Sequence, residues 1–148
     1  MQLPSDWTDL LKAFAGSKVK FLLIGGHAFM YYAEPRYTKD LDLWVDCSPE
    51  NAQRVFQALA AFGAPLAGIS AEEFEVPGMV YHFGRPPLRV DILTSVTGVN
   101  FEEAWIRRVP ATYRGQDVFL ISKQDLIANK RATGRPQDIF DADRLEKS

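Results

Sequence analysis

One cysteine, two histidines and no long apolar run narrow what this 148-residue chain can be. A lone Cys47 excludes an internal disulfide framework and any zinc site built on cysteines. No stretch is long enough to cross a bilayer. The opening MQLPSDWTDLL has neither the basic start nor the continuous apolar segment of a secretion signal. A cytoplasmic protein that does not enter membranes is therefore expected. An excess of one charge is missing too: 17 Lys and Arg against 19 Asp and Glu leave a net charge of -2. Such a balance offers no global attraction to nucleic acid or an anionic membrane, so any polyanion must meet a local patch. Repeats, low-complexity tracts and linkers are also absent, and the length suits one domain, residues 1–148, around a single core.

What is present reads as alternating helices and strands. SDWTDLLKAFAG places Trp7, Leu10, Leu11 and Phe14 on one helical face, with Ser5 or Asp6 as cap and Gly16 as stop. VKFLLI reads as a buried strand ending at Gly25, HAFMYYAE as a short helix closed before Pro35, and Asp40 to Asp46 as the next strand. Ser48 caps a helix that has Pro49 at its first position, a stripe of Val55, Phe56, Leu59 and Phe62, and Gly63 as its stop. Signals are weak from Gly63 to Pro87, apart from a strand at MVYHF. PLRVDILT alternates Val90 and Ile92 against Arg89 and Asp91. A short helix at FEEAWIRR, a hairpin or loop plus strand in ATYRGQDVFLI, a helix capped by Ser122 with Asp125 three residues on, and a last helix from Pro136 follow. The sum is a mixed α/β (α+β) fold with a small sheet flanked by helices.

Chemistry concentrates in LLIGGHAFMYYAEPRYTKDLDLWVD. Asp is depleted in strands and costly to bury unpaired, yet Asp40 and Asp42 interrupt an apolar strand. Strand periodicity puts both on one face, with Leu41, Leu43 and Val45 on the other. Asp91 lies on another strand, and if the strands are neighbours it completes a three-carboxylate cluster. Two such charges about 4 Å apart repel by roughly 4 kcal/mol at an effective dielectric near 20, so a cation is required. All-carboxylate ligation selects a hard ion, best Mg2+, with Mn2+ as the alternative. Gly25 and Gly26 end a strand and open a helix, where bare backbone can approach a phosphate and free N–H groups can hold it. Arg36 and Lys39 flank the following turn and could steer the same phosphate or lie in solvent.

Together IGG, KDLDLWV and LRVDIL resemble the minimal form of the nucleotidyltransferase superfamily related to DNA polymerase beta. RYTKDLDLWV and the tail LISKQDLIANKRATGRPQDIFDADRL are similar to abortive-infection (AbiEii-like) nucleotidyltransferases of toxin–antitoxin pairs and to small antibiotic nucleotidyltransferases. The resemblance implies transfer of a nucleoside monophosphate from a nucleoside triphosphate to a tRNA, a protein or a small molecule. It implies Asp40 and Asp42 as ligands of two magnesium ions, Asp91 as ligand on the acceptor side and proton acceptor, and Gly25 and Gly26 as a cradle for the β and γ phosphates. Lys130 would neutralise the departing pyrophosphate. Many relatives carry Ser where Gly26 stands, so the hydroxyl donor of that position is missing here. A cognate antitoxin or other partner protein is the further expectation. The alternative reading is a catalytically weak nucleotide-binding or partner-binding module on the same fold.

Overall fold

A computed structural model of the protein describes residues 7–38, 40–85 and 89–148. Helix α1, Trp7–Gly16, is followed by β1, Phe21–Ile24, then α2, Gly25–Tyr32, and β2, Asp40–Val45. Helix α3, Pro49–Phe62, leads through a one-turn 3-10 helix, Ala71–Glu75, to the antiparallel pair β3, Val80–Phe83, and β4, Arg89–Leu93. The chain ends with α4, Phe101–Ile106, the hairpin of β5, Val109–Tyr113, and β6, Gln116–Leu120, then α5, Lys123–Thr133, and α6, Pro136–Lys147. The six strands form one mixed sheet in the order β3-β4-β2-β1-β6-β5. Among the described residues no helix is long and apolar enough to cross a membrane. The expected cap at Ser5 or Asp6 and the expected strand start at Pro87 and Leu88 lie outside the described residues.

Local chemistry explains most of these boundaries. Ser48 Oγ accepts from the Asn51 N–H at 3.3 Å, Pro49 takes the first helical position, and Gly63 closes α3 at φ 97°. Ser122 caps α5 in the same way, accepting from the Asp125 N–H at 3.0 Å. The Asp125 carboxylate turns elsewhere, pairing with Arg107 at 2.9 Å. Arg114 and Gly115, at φ 50° and 80°, make the two-residue turn between β5 and β6, so the hairpin is the outcome of the two expected there. The 3-10 helix was not legible: its capping box of Ser70 and Glu73 sits in the Gly- and Pro-broken region where apolar periodicity is lost.

Burial follows the alternation read from β2. Leu41, Leu43 and Val45 are fully buried, while Trp44, on the aspartate side, packs edge to face on Phe101 at 5.1 Å. Helix α1 buries Trp7, Leu10, Leu11 and Phe14 and packs on α3. One buried polar residue stitches three elements. The Asn51 side chain, 1% exposed, accepts from the Lys20 N–H at 2.7 Å and donates to the carbonyls of Lys20 at 3.0 Å and Asp46 at 2.6 Å. Removing it strands the Lys20 N–H and the Asp46 carbonyl at the foot of the β1–β2 pair, while the Lys20 carbonyl keeps its bond from the Asp46 N–H. We therefore expect Asn51→Ala to cost about 3 kcal/mol in denaturant unfolding. A loss below about 0.5 kcal/mol would show that water replaces the stitch.

Candidate active site

Sheet register brings the aspartates together. Strand β2 pairs in parallel with β4, with Asp42 directly beside Asp91 and Asp40 beside Arg89. Paired residues share a face, so the three carboxylates project from one side of the sheet. One oxygen of each, Oδ1 of Asp40, Asp42 and Asp91, is buried without a hydrogen-bond partner. Desolvation pushes the Asp42 carboxyl up to about 7, with repulsion from Asp91 and Asp40 and a hydrogen bond shared with Asp91 adding, and Lys130 opposing. Asp40 is drawn towards Arg89 at 3.6 Å. Accordingly, among the described residues no three His, Cys, Asp or Glu side chains converge as a formed metal site. The chemistry still fits a hard cation: three carboxylate oxygens without a hydrogen bond on rigid strands, with the Asp42 carboxyl pushed up by burial and by its acidic neighbours.

Across the antiparallel β1–β2 pair, Ile24 sits beside Asp42, and the chain then turns into α2. Gly25 makes that turn at φ 68°, and a Cβ there would stand 2.2 Å from Asp42 Oδ2, so both conformation and space demand glycine. Helix α2 begins with no side-chain cap, leaving its first N–H groups for another acceptor. Gly26 has a different reason to lack a side chain. A Cβ at that position would lie 2.8 Å from Thr38 Oγ1 and 3.1 Å from Thr38 Cβ. The Thr38 hydroxyl fills the place a serine would need.

A pocket of about 570 Å3 opens over this turn, with Gly25 and Asp42 on one wall and Asn129, Lys130, Thr133 and Arg135 on another. Lys130 is 12% exposed, with its Nζ 3.0 Å from Asp141 and 3.8 Å from Asp138. Asp141, which the sequence pattern did not single out, is the hub. It accepts from Arg36 at 2.6 Å and 3.1 Å, from Lys130 at 3.0 Å and from Gln137 at 2.8 Å. Against the upward pull of burial, the hydrogen bonds from Arg36 and Lys130 hold its carboxyl below the usual range. Asp138 is held low in the same way, by Thr133 and Arg135 against burial. Its spacing of three from Asp141 on α6 was the available signal, since a buried Lys130 needs acids on one helical face.

Arg36 stacks over the Phe29 ring at 3.8 Å and spends its fork on Asp141, outside the pocket wall. Lys39 lies outside the described residues. His27, next to the glycines, is a packed ring. It touches Trp7 edge to face, and its Nδ1 lies 2.8 Å from the Tyr113 hydroxyl. Burial and the nearby Arg114 lower its pKa to about 4, so it carries no charge towards a phosphate at neutral pH.

A family model described as "Nucleotidyltransferase of unknown function (DUF6036)" matches residues 3–145. The chain belongs to this nucleotidyltransferase family. A solved structure, the lincosamide antibiotic adenylyltransferase LnuA with lincomycin bound, resembles it at 18% identity, over 97% of this chain and 98% of that one, with a TM-score of 0.54. At that identity the likeness is one of fold: a mixed sheet with flanking helices, as the sequence predicts for a nucleotidyltransferase. No curated protein matches the chain. The superfamily expectation thus holds, while none of these matches supports the narrower abortive-infection branch.

Two outcomes test the site's physics. The folded pKa of Asp42 lies above its ordinary 3.8, so the stability from holding the proton is full below 3.8 and lost as pH rises through about 7. Asp42→Asn should therefore stabilise the metal-free nucleotidyltransferase by about 2 kcal/mol more at pH 8 than at pH 5, and change it little at pH 3. Equal shifts of melting temperature at pH 8 and pH 5 would contradict the assignment. Gly26→Ser should cost roughly 1–3 kcal/mol by overpacking against Thr38, and Thr38→Ala in the same chain should recover part of it. Calorimetric melting of the single and double variants reads both.

Proposed function

We propose that the protein transfers a nucleoside monophosphate from a nucleoside triphosphate to the hydroxyl of a small acceptor molecule. The observation that carries this reading is the row of carboxylates on β2 and β4, each with one oxygen lacking a hydrogen bond, whose member Asp42 stands at the wall of a pocket that also presents Gly25 and Lys130. Asp40, Asp42 and Asp91 would hold magnesium. Bound there, magnesium neutralises the carboxylates and the phosphate oxygens whose charge grows as the leaving bond breaks.

Everything else falls to the chain's own groups. The bare turn at Gly25 and the uncapped start of α2 offer N–H groups to the β and γ phosphates. Lys130, fixed by Asp141, supplies a positive charge already in position, so little reorganisation opposes the departure of pyrophosphate. The acceptor oxygen bonds to the α-phosphorus and the bond to the bridging oxygen breaks, its electron pair leaving on pyrophosphate. Asp91 takes the hydroxyl proton. A small-molecule acceptor, rather than a tRNA or protein, is supported by the fold likeness to a lincosamide adenylyltransferase.

One observation favours a second reading, a nucleotide-binding module with weak turnover. Arg36 and Lys130, two cations expected to meet phosphate, are both engaged by Asp141. In that reading the chain acts through a partner protein, and an antitoxin is the form the abortive-infection resemblance suggests.

Melting scans with magnesium or manganese and each of the four triphosphates test both readings. The matched nucleotide should add about 2.7 kcal/mol at one hundred times its dissociation constant. No shift with any pair overturns both. Asp91→Asn should keep most of that shift and lose transfer by roughly 100- to 10,000-fold. A fully active Asp91→Asn would remove Asp91 from the site, and tight binding without transfer in the unmutated protein would select the module.

A further inference from the structure

A second, smaller cavity of about 290 Å3 lies on the other side of the carboxylates, lined by His82, Phe83, Gly84, Arg85 and Arg89. Its position follows from the sheet. Along β4, Arg89, Asp91 and Leu93 alternate onto one face, beside Asp40, Asp42 and Trp44 of β2. The large pocket takes Asp42 and Leu93, whereas the small cavity takes Arg89 at the opposite end of the same row. His82 stands directly opposite Asp91 across the β3–β4 pair and so shares that face. The Asp42 and Asp91 carboxylates therefore sit between two cavities.

Displacement at phosphorus runs in line, with nucleophile and leaving group on opposite sides. On the reading proposed above, the triphosphate fills the large pocket with pyrophosphate towards Gly25 and Lys130. The nucleophile then enters from the small cavity. Among the described residues, the polar side chains lining that cavity are two guanidiniums and an imidazole. Arg89 reaches Asp40 only at 3.6 Å, and Arg85 is exposed with no ion pair or hydrogen bond to any described residue. A neutral polyol would leave these donors facing hydroxyls, while an anionic group would satisfy them with charge-assisted hydrogen bonds.

We propose that the small cavity is the acceptor subsite, and that the acceptor is a small molecule carrying a phosphate or similar anionic group close to the hydroxyl that attacks. Arg85 and His82 grip the anion and turn the hydroxyl towards Asp91. This inference rests on the transferase reading, and it separates the acceptor class of this protein from that of the lincomycin-bound fold relative. The covalent step is the one written above: one P–O bond forms to the acceptor, one breaks to pyrophosphate, and the proton goes to Asp91.

The test uses the matched pair glycerol and glycerol 3-phosphate on the full chain with magnesium and a non-hydrolysable triphosphate analogue. Analogue binding is read first, by melting. Ring signals of the two histidines are then followed by NMR, with the buried His27 as internal reference. Glycerol 3-phosphate should move His82 and not His27, bind at least about tenfold more tightly than glycerol, and lose about tenfold in folded Arg85→Gln, the fold-change of one charge-assisted hydrogen bond. If the analogue binds but His82 responds equally to both compounds, stays unmoved, or responds undiminished in Arg85→Gln, the subsite is overturned while the transferase reading stands. If the analogue fails to bind, the transferase reading falls and takes the subsite with it. A short oligoribonucleotide with a free 3′ hydroxyl forms the second arm. Tighter binding by it than by glycerol 3-phosphate would overturn the small-molecule assignment and give the anion to a nucleic-acid end.

Discussion

Two carboxylates fixed side by side on adjacent parallel strands create a demand for positive charge that the surrounding structure answers in stages. The register of β2 on β4 leaves Asp42 and Asp91 no way to separate, because sliding a strand by one residue would turn Leu41, Leu43 and Val45 out of the core. The protein's own answer is partial. Lys130 pulls the Asp42 pKa down, Asp141 holds Lys130, and Arg36 neutralises Asp141 from a perch on Phe29. This chain of alternating sign runs from the sheet to α6 and back to the α2–β2 connection. It leaves an oxygen of Asp42 and of Asp91 without a hydrogen bond, the deficit a hard cation would fill.

Strand alternation and helix capping made most of the fold legible. The aspartate strand could be assigned a face because Leu41, Leu43 and Val45 have only one place to go, and the ends of α3 followed from Ser48, Pro49 and Gly63. The pairing of β2 with β4 was stated only as a condition, since nothing local to either strand names its neighbour. Long-range partners of polar side chains were invisible for the same reason. Asp141 reads as one more acid on a solvated helix until α6 folds back on Arg36, 105 residues earlier in the chain. Asn51 looks like an ordinary first-turn residue until β1 and β2 arrive beside it. The reason for Gly26 was hidden as well. Its missing side chain reads from sequence as a lost hydroxyl, whereas in space Thr38 occupies that volume.

The sheet works as an axis with two unlike ends. At the Leu93 end, Ile24, Leu93 and Val96 with the α5 residues Leu126, Asn129 and Lys130 line the larger pocket. At the Arg89 end, arginines crowd a smaller space. The amino-acid alternation of a single strand, β4, thus writes basic, acidic and apolar positions in sequence along one face. On the proposed reading, chemical order along that strand would become spatial order across the reaction.

The edge hairpin carries a consequence of its own. Because the Tyr113 hydroxyl bonds His27, and Arg114 at the hairpin tip lies over Trp7, the turn between β5 and β6 braces the first turn of α2 from outside the sheet. An exposed two-residue hairpin tip would ordinarily be a safe place to insert a tag, a loop or another domain. In this molecule an insertion there would release the helix end that begins at Gly25, and engineering aimed at the periphery would be felt as slack in the centre.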